Sequence, residues 1–159
     1  MTTSSQSFTR LDVCNRFLES VRHSVVLGLE VLSAEENAVR VRVPWREDLV
    51  GNPETGVMHG GAIFAMMDHA GGMAVTCRTF PTFEITPTID FRVDHLRGPE
   101  KGAAVFCEAT CYRLTTHVAF VRITTWEEGN EDEPIATGLA TYSRLKIETA
   151  GKVVGQWKH

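Results

Sequence analysis

The spacing of apolar residues changes several times along the chain. Near the start, apolar residues recur at roughly helical spacing, which predicts an amphipathic helix between residues 8 and 21 that acts as a lid or packing arm. Two runs rich in β-branched residues follow at 25–32 and 38–43, and in the second run apolar and charged side chains alternate. These two runs predict a pair of strands joined as a hairpin.

The middle of the chain combines a long polar loop with an apolar helix. Residues 44–58 contain several glycines and prolines, which predict a loop, and loops of this length are more often functional than simple connectors. Residues 62–77 are rich in alanine and methionine, and they are apolar on nearly every side of the helix that they predict. We therefore expect this helix to be buried all round.

From Ile85 onward, the pattern changes to one apolar residue in every two. Turn residues divide this part into a strand that contains Ile89 and Phe91 and three further strands at about 103–113, 117–126 and 135–146. Because the separators are short, neighbouring strands should be antiparallel. The order of elements predicts an α+β fold, in which an antiparallel sheet curls around one hydrophobic helix and an additional helix precedes it.

The length of 159 residues fits one domain with two flanking segments. Residues 25–147 form the predicted domain. Residues 1–24 hold an N-terminal tail and helix, with Met1–Ser7 as the tail, and residues 148–159 form a C-terminal tail.

Charge and composition exclude several classes of partner. The formal net charge is −4, which argues against nucleic acid as a partner because nucleic-acid binding needs a basic patch. The first seven residues lack an apolar signal core, and the weakly charged stretch 57–75 contains Asp68 and two histidines, so we expect a cytoplasmic protein without a membrane partner.

The cysteines and the short motifs exclude other chemistries. The four cysteines form no CxxC pair, so we interpret them as reduced thiols: Cys14, Cys77, Cys107 and Cys111. HExxH and paired Cys/His spacings are absent from the sequence, so no metal and no cofactor is expected. A serine hydrolase is not indicated because the sequence contains no GxSxG motif.

Asp68 is the one acid within the apolar segment 60–77. Burying an unpaired carboxylate costs several kcal/mol or raises its pKa until it is neutral, so this residue needs a partner or a role. Two interpretations stay open on the residues alone: a carboxylate that hydrogen-bonds a neighbouring loop or reaches solvent, and a catalytic carboxylate.

Gly60 and Gly61 begin the same predicted helix and leave backbone N–H groups uncovered by side chains. A helix N-terminus with free N–H groups can hold an oxyanion or a polarised carbonyl, although glycines also serve simply as a tight turn into a helix. Gly60 and Asp68 would lie about 12 Å apart along one helix, too far to act on one carbonyl group. If both act in one reaction, the acid comes from a second copy, which predicts a homodimer.

The string Asn52-x(6)-His59-Gly60-Gly61-x(6)-Asp68, followed by Thr88-x-Asp90-x-Arg92-Val93 and by Val118–Val121, resembles the hotdog-fold acyl-CoA thioesterases of the phenylacetic-acid-degradation type. The resemblance covers about residues 25–146. It implies that the protein hydrolyses acyl-CoA. It also implies a hotdog fold, in which a curved antiparallel sheet wraps around a long central helix, and subunits that pair into dimers and commonly into homotetramers.

The resemblance also assigns roles to individual residues. Gly60 matches the glycine whose N–H polarises the thioester carbonyl, and His59 shapes that site. Asp68 matches the acid that acts as nucleophile or as general base. Asn52 matches a loop asparagine that places water or the thioester, and Thr88 lies near that water. Some relatives carry a hydroxyl side chain one turn after the acid, where this chain has Gly72.

Contacts with the rest of the substrate are predicted at the helix start and on the strand after the helix. The N–H of Gly61 is expected to be available to substrate. Three basic residues on or after this strand could bind CoA phosphates, although solvated surface charge is the more ordinary explanation for any one of them: Arg92, Arg97 and Lys101. His69 points about 100° away from Asp68 on a helix, so we interpret it as packed or paired.

Two other functions stay open beside hydrolysis. Hotdog hydratases of enoyl or hydroxyacyl thioesters use a D-x-N-P-x-H loop, of which this chain retains only Asn52-Pro53. A non-catalytic acyl-CoA-binding protein is the other alternative, and its expected mark would be loss of the acid. The acyl group itself is left open, because methionine-rich pocket walls adapt to many shapes.

Overall fold

The computed structural model describes residues 8–146, so the predicted tails at 1–7 and 148–159 lie outside the described residues. The helices are α1 (Arg10–Ser20), α2 (Arg22–Leu27) and α3 (Gly60–Thr79), with a single 3₁₀ turn at Glu47–Leu49. The strands are β1 (Glu30–Ala34), β2 (Ala38–Val43), β3 (Val50–Asn52), β4 (Val57–Met58), β5 (Glu84–Ile85), β6 (Thr88–His95), β7 (Val105–Leu114), β8 (Val118–Glu127), β9 (Ala136–Ser143) and β10 (Leu145–Lys146).

Six strands form one antiparallel sheet in the order β1-β2-β7-β8-β9-β6, which leaves β1 and β6 at its edges. One face of the sheet packs on α3 through β2, β6, β7, β8 and β9. In β7 every second residue from Val105 to Cys111 is buried, as strand alternation requires, so Cys107 and Cys111 share the inner face. The predicted α+β arrangement around a central helix is confirmed.

α1 packs along the C-terminal half of α3. Arg10 donates from Nε to the carbonyl oxygen of Cys77 at 3.1 Å, and the thiols of Cys14 and Cys77 lie 3.5 Å apart in the core. Thr9 and Asp12 form a reciprocal capping box that fixes the start of α1. All four cysteines are free thiols.

The strand predicted at 25–32 is wrong over its first half. Arg22–Leu27 forms α2, which ends at Gly28 in the left-handed conformation (φ 70°), and β1 begins only at Glu30. The β-branched pair Val25 and Val26 favours a strand locally, but both side chains are exposed, while Leu27 docks into the core. Tertiary burial of one residue therefore overrides the local preference.

Other boundaries also differ from the sequence pattern. The predicted loop 44–58 contains a 3₁₀ turn and the small hairpin β3–β4, and the predicted strand 135–146 is divided into β9 and β10, of which β10 pairs with β5. The central helix is longer than 62–77, and it is not buried all round. Its N-terminal half leaves an exposed or half-buried stripe: Gly61, Phe64, Ala65 and Asp68.

Candidate active site

The start of α3 is fixed by His59, which is the N-cap residue. Its Nδ1 accepts a hydrogen bond from the N–H of Gly61 at 2.9 Å, and its backbone N–H donates to the carbonyl oxygen of Leu49 at 2.7 Å. Gly51 lies against the ring, because a Cβ at residue 51 would come within 2.9 Å of His59 Cδ2. The β3–β4 hairpin therefore holds the histidine in place, and the N–H of Gly61 is already used within the chain.

Gly60 presents a free donor at the same helix end. Among the hydrogen bonds of residues 8–146, none uses the Gly60 N–H, whereas the next two N–H groups donate to His59 Nδ1 and to the His59 carbonyl oxygen. Because the first N–H groups of a helix have no partner inside it, this one is available to a bound group.

Asp68 lies about two turns after Gly60, on the exposed stripe of α3, and it accepts hydrogen bonds from two hydroxyl groups. Thr88 Oγ1 donates to Asp68 Oδ1 at 2.7 Å, and Tyr142 Oη lies 3.3 Å from the same oxygen and 3.0 Å from the Asp68 carbonyl oxygen. No Lys or Arg of residues 8–146 forms a salt bridge with Asp68. Asp68 Oδ2 accepts no hydrogen bond from the described chain, so it is free to act on a substrate or on water.

The two hydroxyl donors share one geometric origin. Thr88 in β6 and Tyr142 in β9 are register partners across the sheet, so both side chains project from the same face. Burial and the neighbouring Asp68 charge raise the pKa of Tyr142, so the phenol stays protonated and acts as a donor. A Cβ at Gly71 would overlap Tyr142 Oη, so glycine is required at this position for the close approach.

Sequence reasoning did not find Tyr142 or the purpose of Gly71. The only available signal was a polar aromatic residue at an inward position of a core strand, where a buried Tyr hydroxyl usually needs a partner. Its partner lies 74 residues away, and the contact depends on the register between β6 and β9.

Asn52 and Lys101 both lie at the β3–β4 turn. Asn52 Oδ1 accepts the N–H of Glu54 at 3.0 Å, which makes its exposed side chain part of the turn. The stem of Lys101 packs on Gly56, where a Cβ would come within 2.5 Å of Lys101 Cδ. No hydrogen bond joins Asn52 to Asp68 or to Gly60 within residues 8–146, so its place at the reacting group stays a prediction.

The predicted phosphate ligands Arg92 and Arg97 have internal partners. Arg92 is exposed and binds Asp94 Oδ1 at 3.1 Å; it faces away from α3, beside an outer cavity of about 250 Å³. Arg97 binds Glu127 Oε1 at 2.8 Å and the Glu133 carbonyl oxygen at 2.7 Å. Arg97 thus connects the end of β6 to the β8–β9 loop, and CoA binding by these side chains stays a prediction.

His69 is half-buried beside His23, with ring centroids 5.7 Å apart. Burial lowers the pKa of His69, against the opposing charge of Asp68, so its imidazole is kept neutral. This packing agrees with the interpretation of His69 as a packed residue.

Within residues 8–146, no group of three or more His, Cys, Asp or Glu side chains is arranged to hold a metal ion. No helix in that range is long and apolar enough to cross a membrane.

The antiparallel sheet packs around one long helix. This helix follows its N-cap His59 with Gly60-Gly61 and carries an acid, Asp68, eight residues after Gly60. The arrangement is that of the hotdog class of proteins. The chain belongs to the thioesterase superfamily, whose family model matches residues 55–133. The resemblance to hotdog thioesterases is therefore confirmed.

Similar proteins agree with this family. The crystal structure of a Pseudomonas aeruginosa protein shares 39% identity, covers 86% of this chain and 99% of its own, and superposes with a TM-score of 0.77. The medium/long-chain acyl-CoA thioesterase YigI of Salmonella typhimurium is 31% identical over 129 residues, which cover 73% of this chain and 81% of YigI. A mutant structure of the phenylacetic acid degradation protein PaaI of Thermus thermophilus shares 26% identity with a TM-score of 0.67, covering 79% of this chain and 100% of that one.

Proposed function

We propose that this protein hydrolyses acyl-CoA thioesters to a free acid and CoA. The observation that carries the proposal is the Asp68 carboxylate on the half-buried stripe of α3, which is held by Thr88 and Tyr142 through one oxygen and has no hydrogen bond from residues 8–146 on the other. Membership of the thioesterase superfamily supports the reaction, and the named activity of the YigI relative supports acyl-CoA as the substrate.

Asp68 Oδ2 supplies the reactive oxygen in either of two routes. As a nucleophile it attacks the thioester carbon, forms a mixed anhydride and releases the CoA thiolate, and water then cleaves the anhydride. As a general base it takes a proton from water, whose oxygen attacks the same carbon; the C–S bond then breaks, and the CoA thiolate leaves and takes up a proton. In both routes, Thr88 and Tyr142 hold the carboxylate in one orientation.

The second requirement is stabilisation of the carbonyl oxygen, which develops negative charge. The free N–H of Gly60 suits this role, since preorganised donors at a helix N-terminus act where charge develops. Gly60 and Asp68 of one chain are about 12 Å apart along α3, so one thioester cannot contact both. We therefore place the Gly60 of one subunit opposite the Asp68 of its partner in a two-fold homodimer.

Two exposed features of the single chain support a dimer. The stripe of α3 includes Phe64, which is 41% exposed. Its ring packs against that of Phe91, with the two ring centroids 4.7 Å apart. β6 is an eight-residue edge strand whose outer side is unpaired within the described chain, and proteins commonly cover such edges. A second copy that covers both features would complete two equivalent sites. Sedimentation velocity at micromolar protein concentration should therefore give a dimer or a dimer of dimers. A monomer in this experiment would contradict the paired site.

Release of CoA, measured with a thiol-reactive dye, tests the reaction on acetyl-, hexanoyl-, palmitoyl- and phenylacetyl-CoA. We expect turnover on at least one substrate and a loss of at least ~10²-fold in kcat for Asp68→Asn. Glu35→Gln is the matched control, because Glu35 is an exposed acid in the turn between β1 and β2, at the opposite edge of the sheet from β6, and should leave kcat unchanged. Absence of turnover on the whole panel would contradict the proposal, and an active Asp68→Asn enzyme would contradict the role of the acid.

A further inference from the structure

The helix end that would hold the thioester carbonyl has one backbone donor that no described residue uses. His59 occupies the N–H of Gly61 through Nδ1, and its carbonyl oxygen accepts the N–H of Ala62 at 3.0 Å. Among residues 8–146, this leaves the Gly60 N–H without a partner at this turn. Oxyanion sites commonly combine a backbone N–H with a second donor, often a side chain, so a second donor is worth seeking nearby.

His95, the last residue of β6, lies directly beside Gly60. Its Cε1, Nε2 and Nδ1 atoms are 3.4, 3.6 and 3.8 Å from the position that a Cβ on Gly60 would occupy. Because Cα–Cβ bonds in a helix tilt toward the N-terminus, the imidazole lies at the end from which the Gly60 N–H points. The ring edge that carries both nitrogens therefore faces Gly60 at the start of α3.

The imidazole of His95 is available for a ligand. The side chain is exposed, and neither ring nitrogen makes a hydrogen bond to any part of residues 8–146, in contrast to His59, whose Nδ1 is occupied. A neutral imidazole carries one N–H, so it can donate a hydrogen bond without transferring a proton.

We propose that His95 is a catalytic residue that donates a hydrogen bond from its ring to the thioester carbonyl oxygen, beside the N–H of Gly60. This inference rests on the proposed thioesterase function and adds a residue to the same site. No covalent bond forms or breaks at His95; it stabilises the charge that develops on the oxygen as water or Asp68 attacks.

β6 then serves two different sites of the dimer. Its first residue, Thr88, binds Asp68 of its own chain, and its last residue, His95, lies beside Gly60 of its own chain. Since Gly60 and Asp68 of one chain act in different sites, His95 must cooperate with the Asp68 of the partner.

Three substitutions separate a donor from a packing role. His95→Ala and His95→Phe should each lower kcat by ~10²-fold with a change in KM of less than about 3-fold, because a donor to the oxyanion acts mainly in the transition state. His95→Gln retains an N–H and should be at least about 10-fold more active than His95→Phe. His117→Ala, at an exposed histidine in the β7–β8 turn, is the control. Wild-type kcat in His95→Ala, or equal activity of the Gln and Phe variants, would overturn the proposal.

Mixed dimers give a second, independent test. Chains that carry Asp68→Asn and chains that carry His95→Ala are coexpressed with different tags, and the heterodimer is purified. One of its two sites then has an intact Asp68 opposite an intact His95, so we expect about half of the wild-type activity per dimer. Activity at the level of the His95→Ala homodimer would overturn the assignment of His95 to the Gly60 half of the site.

Failure of this inference is distinguishable from failure of the proposed function. An inactive wild-type protein, or an active Asp68→Asn homodimer, contradicts the thioesterase proposal itself. An active wild type, an inactive Asp68→Asn variant and an unaffected His95→Ala variant contradict only the role of His95.

Discussion

Asp68 and Glu127 are two carboxylates at the edge of the core, and they are held by different donors. Asp68 receives two neutral hydroxyl groups on one oxygen and keeps its other oxygen open. Glu127 is 6% exposed and uses both oxygens: Oε1 binds the Arg97 guanidinium at 2.8 Å and Oε2 accepts the N–H of Glu100 at 2.7 Å. The Glu127 carboxylate is therefore paired with a cation, whereas within residues 8–146 no Lys or Arg forms a salt bridge with Asp68.

The difference extends to what each cluster fixes. The Glu127 cluster ties the segment after β6 to the β8–β9 loop and leaves no oxygen free. The Asp68 cluster orients a group on an exposed stripe of α3. Glu127 thus has both oxygens bound within the chain, whereas Asp68 keeps one oxygen for the reaction proposed above.

The largest effect is expected where the Asp68 cluster is most tightly packed. Gly71→Ala would place a methyl group on Tyr142 Oη, so the tyrosine or the helix must move. We expect a loss of about 1–3 kcal/mol in the free energy of unfolding, which is typical of overpacking, together with a lower kcat. Urea denaturation and CoA-release assays measure the two quantities.

The neighbouring glycine provides the control. At Gly72 the nearest atoms to a Cβ are Thr86 Oγ1 at 3.5 Å and Phe17 Cζ at 4.0 Å, which are ordinary contacts. Gly72→Ala should therefore be neutral or stabilise the helix by up to ~1 kcal/mol. Equal destabilisation by both substitutions would show that the Tyr142 contact is not what requires glycine.

The next effect distinguishes the two hydroxyl donors of Asp68. Tyr142→Phe removes a buried hydroxyl from the Asp68 carbonyl and carboxylate oxygens, so we expect a loss of about 1–2 kcal/mol in stability and roughly 10-fold in kcat. Thr88→Val removes an exposed donor, which should lower kcat to a similar degree with less than about 0.5 kcal/mol of destabilisation.

Thr88→Ser tests this interpretation, because it keeps the hydroxyl and should retain most of the activity. Melting temperatures and kcat are measured on the same samples of all three variants. A Thr88→Val enzyme with full activity would show that the Thr88 hydrogen bond to Asp68 is not needed for activity.

Asp68 could be singled out from the sequence, but only part of its hydrogen-bonding environment could be. A single acid in an apolar helix can be recognised from the sequence alone, and its distance from Gly60 follows from helix geometry. Thr88 followed from the resemblance to known thioesterases. Tyr142 depends on the register of two strands, and the Arg97–Glu127 pair joins residues 30 positions apart, so neither contact has a local signal.

The fold followed from periodicity where burial and local preference agree. The central helix and the long strands β7 and β8 lie within a few residues of their predicted positions. The strand predicted at 25–32 was wrong because two exposed valines favoured a strand in a segment that forms α2 and ends at Gly28. His95 carried no signal at all, since only the folded chain brings the end of β6 against Gly60.

The smallest effect concerns the structural carboxylate and depends on pH. Burial of Glu127 opposes its ionisation, but the Glu100 N–H and the Arg97 guanidinium outweigh burial and lower its pKa. A carboxyl whose pKa is lower in the folded than in the unfolded protein contributes stability above its unfolded pKa, and this stability is lost as pH falls through the folded pKa.

Glu127→Gln should therefore lower the free energy of unfolding by about 0.5–1.5 kcal/mol at pH 7, and the difference from wild type should shrink as the pH falls below the usual glutamate range. Thermal unfolding from pH 7 to pH 3 measures this difference, with the exposed Glu128→Gln as control. A difference that stays constant down to pH 3 would show that the ionised Glu127–Arg97 pair does not stabilise this end of the sheet.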